Sequence, residues 1–222
     1  MRNVRPGLSN RSHPDRPNKQ LKITGKEVWQ VKKIDFLMAG VGGQGTILAS
    51  DILVEVGLQM GYDAKKSEVH GMSQRGGTVE SHVRWGEKVY SPVVEKGQAD
   101  YLIGFEMLEA ARWTSYLNST SAVIVNRFRI PPPAVNLGQK AYPSEQELED
   151  YINTRAGQLQ WVEGTAIAKD LGNPAMAGVV LLGALFARVG GTESAWLNVI
   201  EQLVPQKFVE LNKQAFKKGQ EL

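Results

Sequence analysis

Not one of the 222 residues is a cysteine. A disulfide, a thiol nucleophile and an iron–sulfur cluster held by thiolates are therefore excluded on this chain, and any redox centre it works with must sit on another chain. Histidine is nearly as scarce, with only His13, His70 and His82, at spacings that match no zinc signature. No metal of its own is expected. Long apolar runs are missing too: the longest, Ala175 to Ala187, is too short to span a bilayer and contains Gly178 and Gly183, so it predicts a buried core helix.

Acidic residues are short only at the start of the chain. Of 26 basic and 23 acidic residues, nine and two fall in residues 1–33, which leaves 17 basic and 21 acidic for the remainder. A basic head raises the question of nucleic acid, but it lacks interleaved aromatics and any RNA-binding motif. With Pro6, Pro14 and Pro17 and no apolar leader segment, residues 1–30 read as a basic, flexible, solvated extension. No nucleic-acid or membrane partner is expected, and the cytoplasm is the expected compartment.

Regular structure begins at Val31, where Val31 to Ala39 reads as a strand leading into Gly40-Val-Gly-Gly-Gln-Gly45 and a helix from Thr46 to about Met60. Asp63 to Val69 reads as a second, polar strand. Thr78 to Trp85 alternates, with Val79, Ser81, Val83 and Trp85 on one face and Thr78, Glu80, His82 and Arg84 on a solvated or interfacial one; Gly86-Glu-Lys88 then predicts a turn into a strand at Val89-Tyr-Ser91. Such a hairpin within a βαβ pattern predicts a mixed sheet. Tyr101 to Phe105 and Ala122 to Asn126 read as short buried strands joined by a helix. Ser144 and Glu147 form a capping-box pattern, and Leu159 to Glu163 reads as a further strand. The last third predicts four helices, so the expected fold is α/β, three layers around a mixed, mostly parallel sheet, with residues 31–222 as one domain.

Two loops carry residues suited to chemistry. Gly40, Gly42 and Gly45 fit G-x-G-x-x-G between a strand and a helix, and with Gly43 and Gln44 they form either a phosphate-binding loop or a tight turn that needs small residues for close packing. A dinucleotide site also wants an acidic residue ending an apolar second strand. Glu68 stands at about the right distance, but the strand before it is not apolar. The second loop is His70-Gly71-Met72-Ser73-Gln74-Arg75-Gly76-Gly77. Arg75 can bind a carboxylate or phosphate with a planar fork, and His70 can exchange a proton near neutral pH. The alternative is that both contact a partner subunit. No residue is assigned a catalytic role.

Taken together, Gly40–Gly45, Glu68–Gly77, Ser81–Arg84 and Val89–Pro92 resemble, in order and spacing, the gamma-type domain of 2-oxoacid:ferredoxin oxidoreductases. The likeness runs on through Ala99–Glu106, Ile124–Asn126, Tyr142-Pro143, Leu171–Asn173, Leu181–Gly183 and Glu210–Asn212. It covers about residue 34 to the C-terminus. The His-Gly-Met-Ser-Gln-Arg-Gly-Gly loop is similar to that of the indolepyruvate ferredoxin oxidoreductase beta subunit more than to the pyruvate type. The resemblance implies a small subunit, inactive alone, beside a large alpha subunit that carries thiamine diphosphate, Mg and 4Fe-4S clusters, with coenzyme A as co-substrate and ferredoxin as acceptor. Other members of the family would take pyruvate, branched-chain keto acids or an arylglyoxylate. A free-standing Rossmann-like nucleotide-binding protein is the alternative from outside it.

Overall fold

A computed structural model describes residues 33–70 and 77–222, with His70 described by its backbone alone. The expected extension of residues 1–30 and residues 71–76 of the second loop lie outside the described residues. The strands are β1 (Ile34–Val41), β2 (Asp63–His70), β3 (Thr78–Gly86), β4 (Tyr101–Gly104), β5 (Ala122–Asn126) and β6 (Gln158–Val162). The helices are α1 (Thr46–Gln59), α2 (Met107–Arg112), α3 (Pro133–Asn136), α4 (Glu145–Asn153), α5 (Gly164–Asp170), α6 (Ala177–Val189), α7 (Glu193–Leu203) and α8 (Val209–Gln220). No described helix is long and apolar enough to cross a membrane.

One mixed sheet runs in the order β2-β3-β1-β4-β5-β6. β1, β4, β5 and β6 pair in parallel, whereas β3 lies antiparallel to both β1 and β2. The central strands are apolar on both faces because each face packs its own helix layer. Phe36, Met38, Ile103 and Ile124 meet residues of α1, α6, α7 and α8, while Leu37, Ala39, Leu102, Val123 and Val125 meet residues of α2 and α4. This is the expected three-layer arrangement. α6 is apolar nearly all round since it is buried from Ala177 to Leu185.

The predicted strand at Val89-Tyr-Ser91 is absent; β3 instead pairs antiparallel with β2, which precedes it, and with β1. Tyr90 is 89% exposed, and the irregular segment around it is held by side chains rather than by a ladder. Arg84 Nη1 donates to the carbonyls of Ser91 and Val93, both at 3.1 Å, and Val94 N donates to His82 Nδ1 at 3.2 Å. The face of β3 expected to be solvated or interfacial is therefore covered by this segment at His82, which is buried, and at Arg84, while Thr78 is exposed. Arg84 also reaches the fully buried Asp35 at 2.8 Å. α1 can lie close on β3 because Gly57 faces Trp85, whose Nε1 donates to Leu53 O at 3.1 Å; a Cβ at Gly57 would come within 2.4 Å of that nitrogen.

Candidate functional site at the switch point of the sheet

From β1 the chain first builds the β3 and β2 side of the sheet and then returns through β4 to build the other. The reversal lies between β1 and β4, and in open α/β sheets the crevice beyond the carboxyl ends of the strands at such a point is where ligands bind. The Gly-rich loop leaves β1 there. Gly40 is required by close approach, since a Cβ on it would stand 2.8 Å from Phe105 Cβ. Gly45 takes a φ of 82° as the residue before α1, a conformation that a side chain resists.

The loop is tied into the edge by one side chain. Gln44 Oε1 accepts from Val41 N at 2.7 Å, and Gln44 Nε2 donates to Phe105 O at 2.9 Å, bridging the ends of β1 and β4. Asn126 Nδ2 donates to the same Phe105 carbonyl at 3.1 Å and to Thr165 Oγ1 at 2.8 Å, while Asn126 Oδ1 accepts from Thr165 N at 3.0 Å. A belt of amide hydrogen bonds thus crosses β1, β4, β5 and the start of α5. The first turn of α1 has neither a side-chain cap nor an acidic residue, so its N–H groups and positive dipole end face this edge.

The two loops singled out in the sequence meet. Gly42 N donates to Gly77 O at 2.9 Å, and β2 ends at His70, in register with Val79 of β3. The structure brings together Gly40, Gly42, Gly43, Gln44, Gly45, Gly77 and the His70 backbone; Gly71, Met72, Ser73, Gln74, Arg75 and Gly76 lie outside the described residues.

Sequence reasoning gave no role to the carboxyl groups just past β4. Glu106 is buried: its Oε2 accepts from Glu109 N at 2.8 Å, and its Oε1 accepts from Ile130 N at 3.1 Å and from the Tyr142 hydroxyl. Leu108 N donates to Tyr142 Oη at 3.1 Å, and the Arg129 guanidinium lies 5.6 Å from the Tyr142 ring centre. These bonds clamp the proline-rich segment 127–143 against α2. Burial, and after it the bond to Glu106, push the Tyr142 hydroxyl far above the usual tyrosine range, so it stays a donor. Glu109 is 6% exposed, with Arg112 Nε 3.1 Å from Oε1; burial raises its carboxyl above the usual range, with Arg112 and then a hydrogen bond from Thr78 opposing. Ile47 and Phe128, exposed at 44% and 36%, add apolar surface next to the same edge.

The arrangement does not suit a dinucleotide. β3 separates β2 from β1, and Glu68 is engaged by Lys66 of its own strand. Among the described residues no three His, Asp or Glu side chains come together as a metal site.

Residues 35–222 match the model of the family described as pyruvate ferredoxin/flavodoxin oxidoreductase. The chain belongs to this family. Within the pyruvate ferredoxin/flavodoxin oxidoreductase family, a relative from Pyrococcus horikoshii named indolepyruvate oxidoreductase subunit IorB is 38% identical over 192 residues, 85% of this chain and 95% of the relative. Another of that name, from Thermococcus kodakarensis, is 36% identical with the same coverage of each chain. Among solved structures, a keto/oxoacid ferredoxin oxidoreductase gamma subunit from Geobacter sulfurreducens superposes with a TM-score of 0.61 at 27% identity, over 85% of this chain and 96% of that one. The family's small, gamma-type oxidoreductase subunits are thus its relatives in both sequence and fold.

Proposed function

We propose that this chain is the small subunit of a coenzyme A-dependent oxidoreductase that oxidatively decarboxylates indolepyruvate and related arylpyruvates in the cytoplasm. The observation that carries the reading is the level of identity, along nearly the whole length of the relatives, to subunits named for indolepyruvate. The reaction turns an arylpyruvate and coenzyme A into the arylacetyl thioester and CO₂; the electron pair released is passed on singly to ferredoxin, with a proton left in solution. Thiamine diphosphate supplies the carbanion chemistry at the keto carbon, and 4Fe-4S clusters carry the electrons. With no cysteine, this chain has no thiolate to hold a cluster. In this reading the clusters, thiamine diphosphate and its magnesium belong on a large alpha subunit.

In this reading the switch-point edge is the face turned toward that subunit. The loop His70 to Gly77 reaches the partner, with Arg75 on a carboxylate or phosphate there, and the loop Gly40 to Gly45 with the open end of α1 cradles a phosphate of coenzyme A. The amide belt holds that face rigid.

A substrate panel on the assembled complex tests the substrate. Indolepyruvate and phenylpyruvate should show the highest kcat/KM, with pyruvate, a branched-chain keto acid and an arylglyoxylate lower; a preference for pyruvate overturns the assignment. Arg75→Ala tests the loop. An interface role predicts less assembled complex with unchanged turnover per complex, whereas substrate contact predicts intact assembly with a raised KM or lowered kcat.

A further inference from the structure

At the opposite edge of the sheet, about 23 Å of strand away from the Gly-rich loop, a cavity of about 560 Å³ opens where β1, β4, β5 and β6 begin, below the last turns of α1 and α6. Its walls include Tyr62, Tyr101, Gln158 and Arg188, with Asp100 as the acidic member. The volume falls in the range of small-molecule sites.

Arg188, exposed at the mouth of this cavity, is oriented by two side-chain amides. Its Nη1 donates to Gln158 Oε1 at 2.6 Å, and its Nε and Nη2 donate to Gln160 Oε1 at 3.3 and 3.0 Å. A guanidinium has five N–H groups, so these three bonds leave two for another acceptor. Both existing acceptors are neutral amides, and among the described residues no carboxylate pairs with Arg188. Its charge is oriented without being neutralised. Arginine oriented in this manner is the side chain suited to a planar carboxylate or a phosphate.

The two tyrosines supply further donors. The Tyr101 ring is stacked on Phe36 at 5.4 Å, and the Tyr62 ring leans on Trp85 at 5.2 Å, so both rings are fixed by the core. Neither hydroxyl has a hydrogen-bond partner among the described residues. Burial, and then the charge of Asp100, raise the Tyr101 hydroxyl above its ordinary range, which keeps it a donor. Asp100 Oδ2 accepts from Asp35 N at 2.8 Å, which turns that oxygen toward the start of β1. Lys33 is paired with Asp35 at 2.8 Å, so Arg188 is the cation of the lining that has no acidic partner among the described residues.

We propose that this cavity is a binding site for a small oxyanion, a carboxylate or a phosphate, held by the two remaining N–H groups of Arg188 and by the hydroxyls of Tyr62 and Tyr101. The site stands apart from the switch-point edge and does not depend on the function argued for that edge.

Titration calorimetry on the purified full chain tests it, with inorganic phosphate and phenylacetate as separate probes. Saturable binding of phosphate alone identifies a phosphate site, and binding of phenylacetate alone identifies a carboxylate site. Arg188→Gln should weaken either by roughly 10-fold or more, and Tyr101→Phe by a smaller factor. Circular dichroism of each variant checks that the fold persists. No saturable binding of either probe, or equal binding by a folded Arg188→Gln variant, overturns the proposal.

Discussion

Gln44 shows how a residue can matter without touching a ligand. Its amide accepts from the backbone at the end of β1 and donates to the backbone beyond β4, which sets the path of the whole Gly-rich loop. Gln44→Glu keeps the acceptor and turns the donor into a second acceptor facing Phe105 O. The folded chain should lose about 1–2 kcal/mol in denaturant unfolding; unchanged stability would mean the bridge carries no weight. Glu109 makes a pH-dependent counterpart. Its carboxyl titrates above the ordinary 4.5 in the folded chain, so the folded chain binds the proton more tightly than the unfolded one does. The stability it contributes is full below 4.5 and is lost as pH rises through the higher folded value. Glu109→Gln should therefore be more stable than the parent at pH 7.5, by about 1 kcal/mol for a buried charge removed, with the gap closing toward pH 4. The glycine pattern was legible in sequence because close turns demand glycine, and Gln44 was legible as a member of that loop; its bond to Phe105 O and the bonds of Glu106 to Ile130 and Tyr142 were silent because those partners lie far away along the chain.

Elements with a local cause were legible. The Ser144 and Glu147 capping box closes as its spacing implies, Ser144 N donating to Glu147 Oε2 at 2.7 Å, and α4 follows. β5 falls at Ala122–Asn126 as read from its apolar run. The missing strand at Val89 to Ser91 had no such cause, since what holds that segment is Arg84 and His82 reaching across from β3. The meeting of α6 and α8 was equally hidden. A Cβ on Gly183 would lie 2.1 Å from Phe216 O, and one on Gly219 would lie 2.0 Å from Val180 O, so these helices touch backbone to backbone. Gly183→Ala should destabilise the chain by about 3 kcal/mol, read as a lowered unfolding midpoint. A midpoint equal to the parent's would show that the helices can separate freely.

At the scale of the molecule, the absence of cysteine and the antiparallel β3 point the same way. The first removes thiolate-held clusters from this chain, and the second breaks the strand adjacency a dinucleotide site needs. The mixed sheet and its layers were legible because strand and helix periods differ; which side of β1 each strand joined was not, since pairing order leaves no periodic mark. The central claim is that the chain works as one part of a larger oxidoreductase. The most direct measurement is to recover the chain from its native cells under anaerobic conditions, identify what accompanies it and assay the eluate. The account predicts a large partner containing iron–sulfur clusters and thiamine diphosphate, with coenzyme A-dependent reduction of a one-electron acceptor by indolepyruvate. A chain that elutes alone, colourless and inactive toward every 2-oxoacid offered, would contradict it.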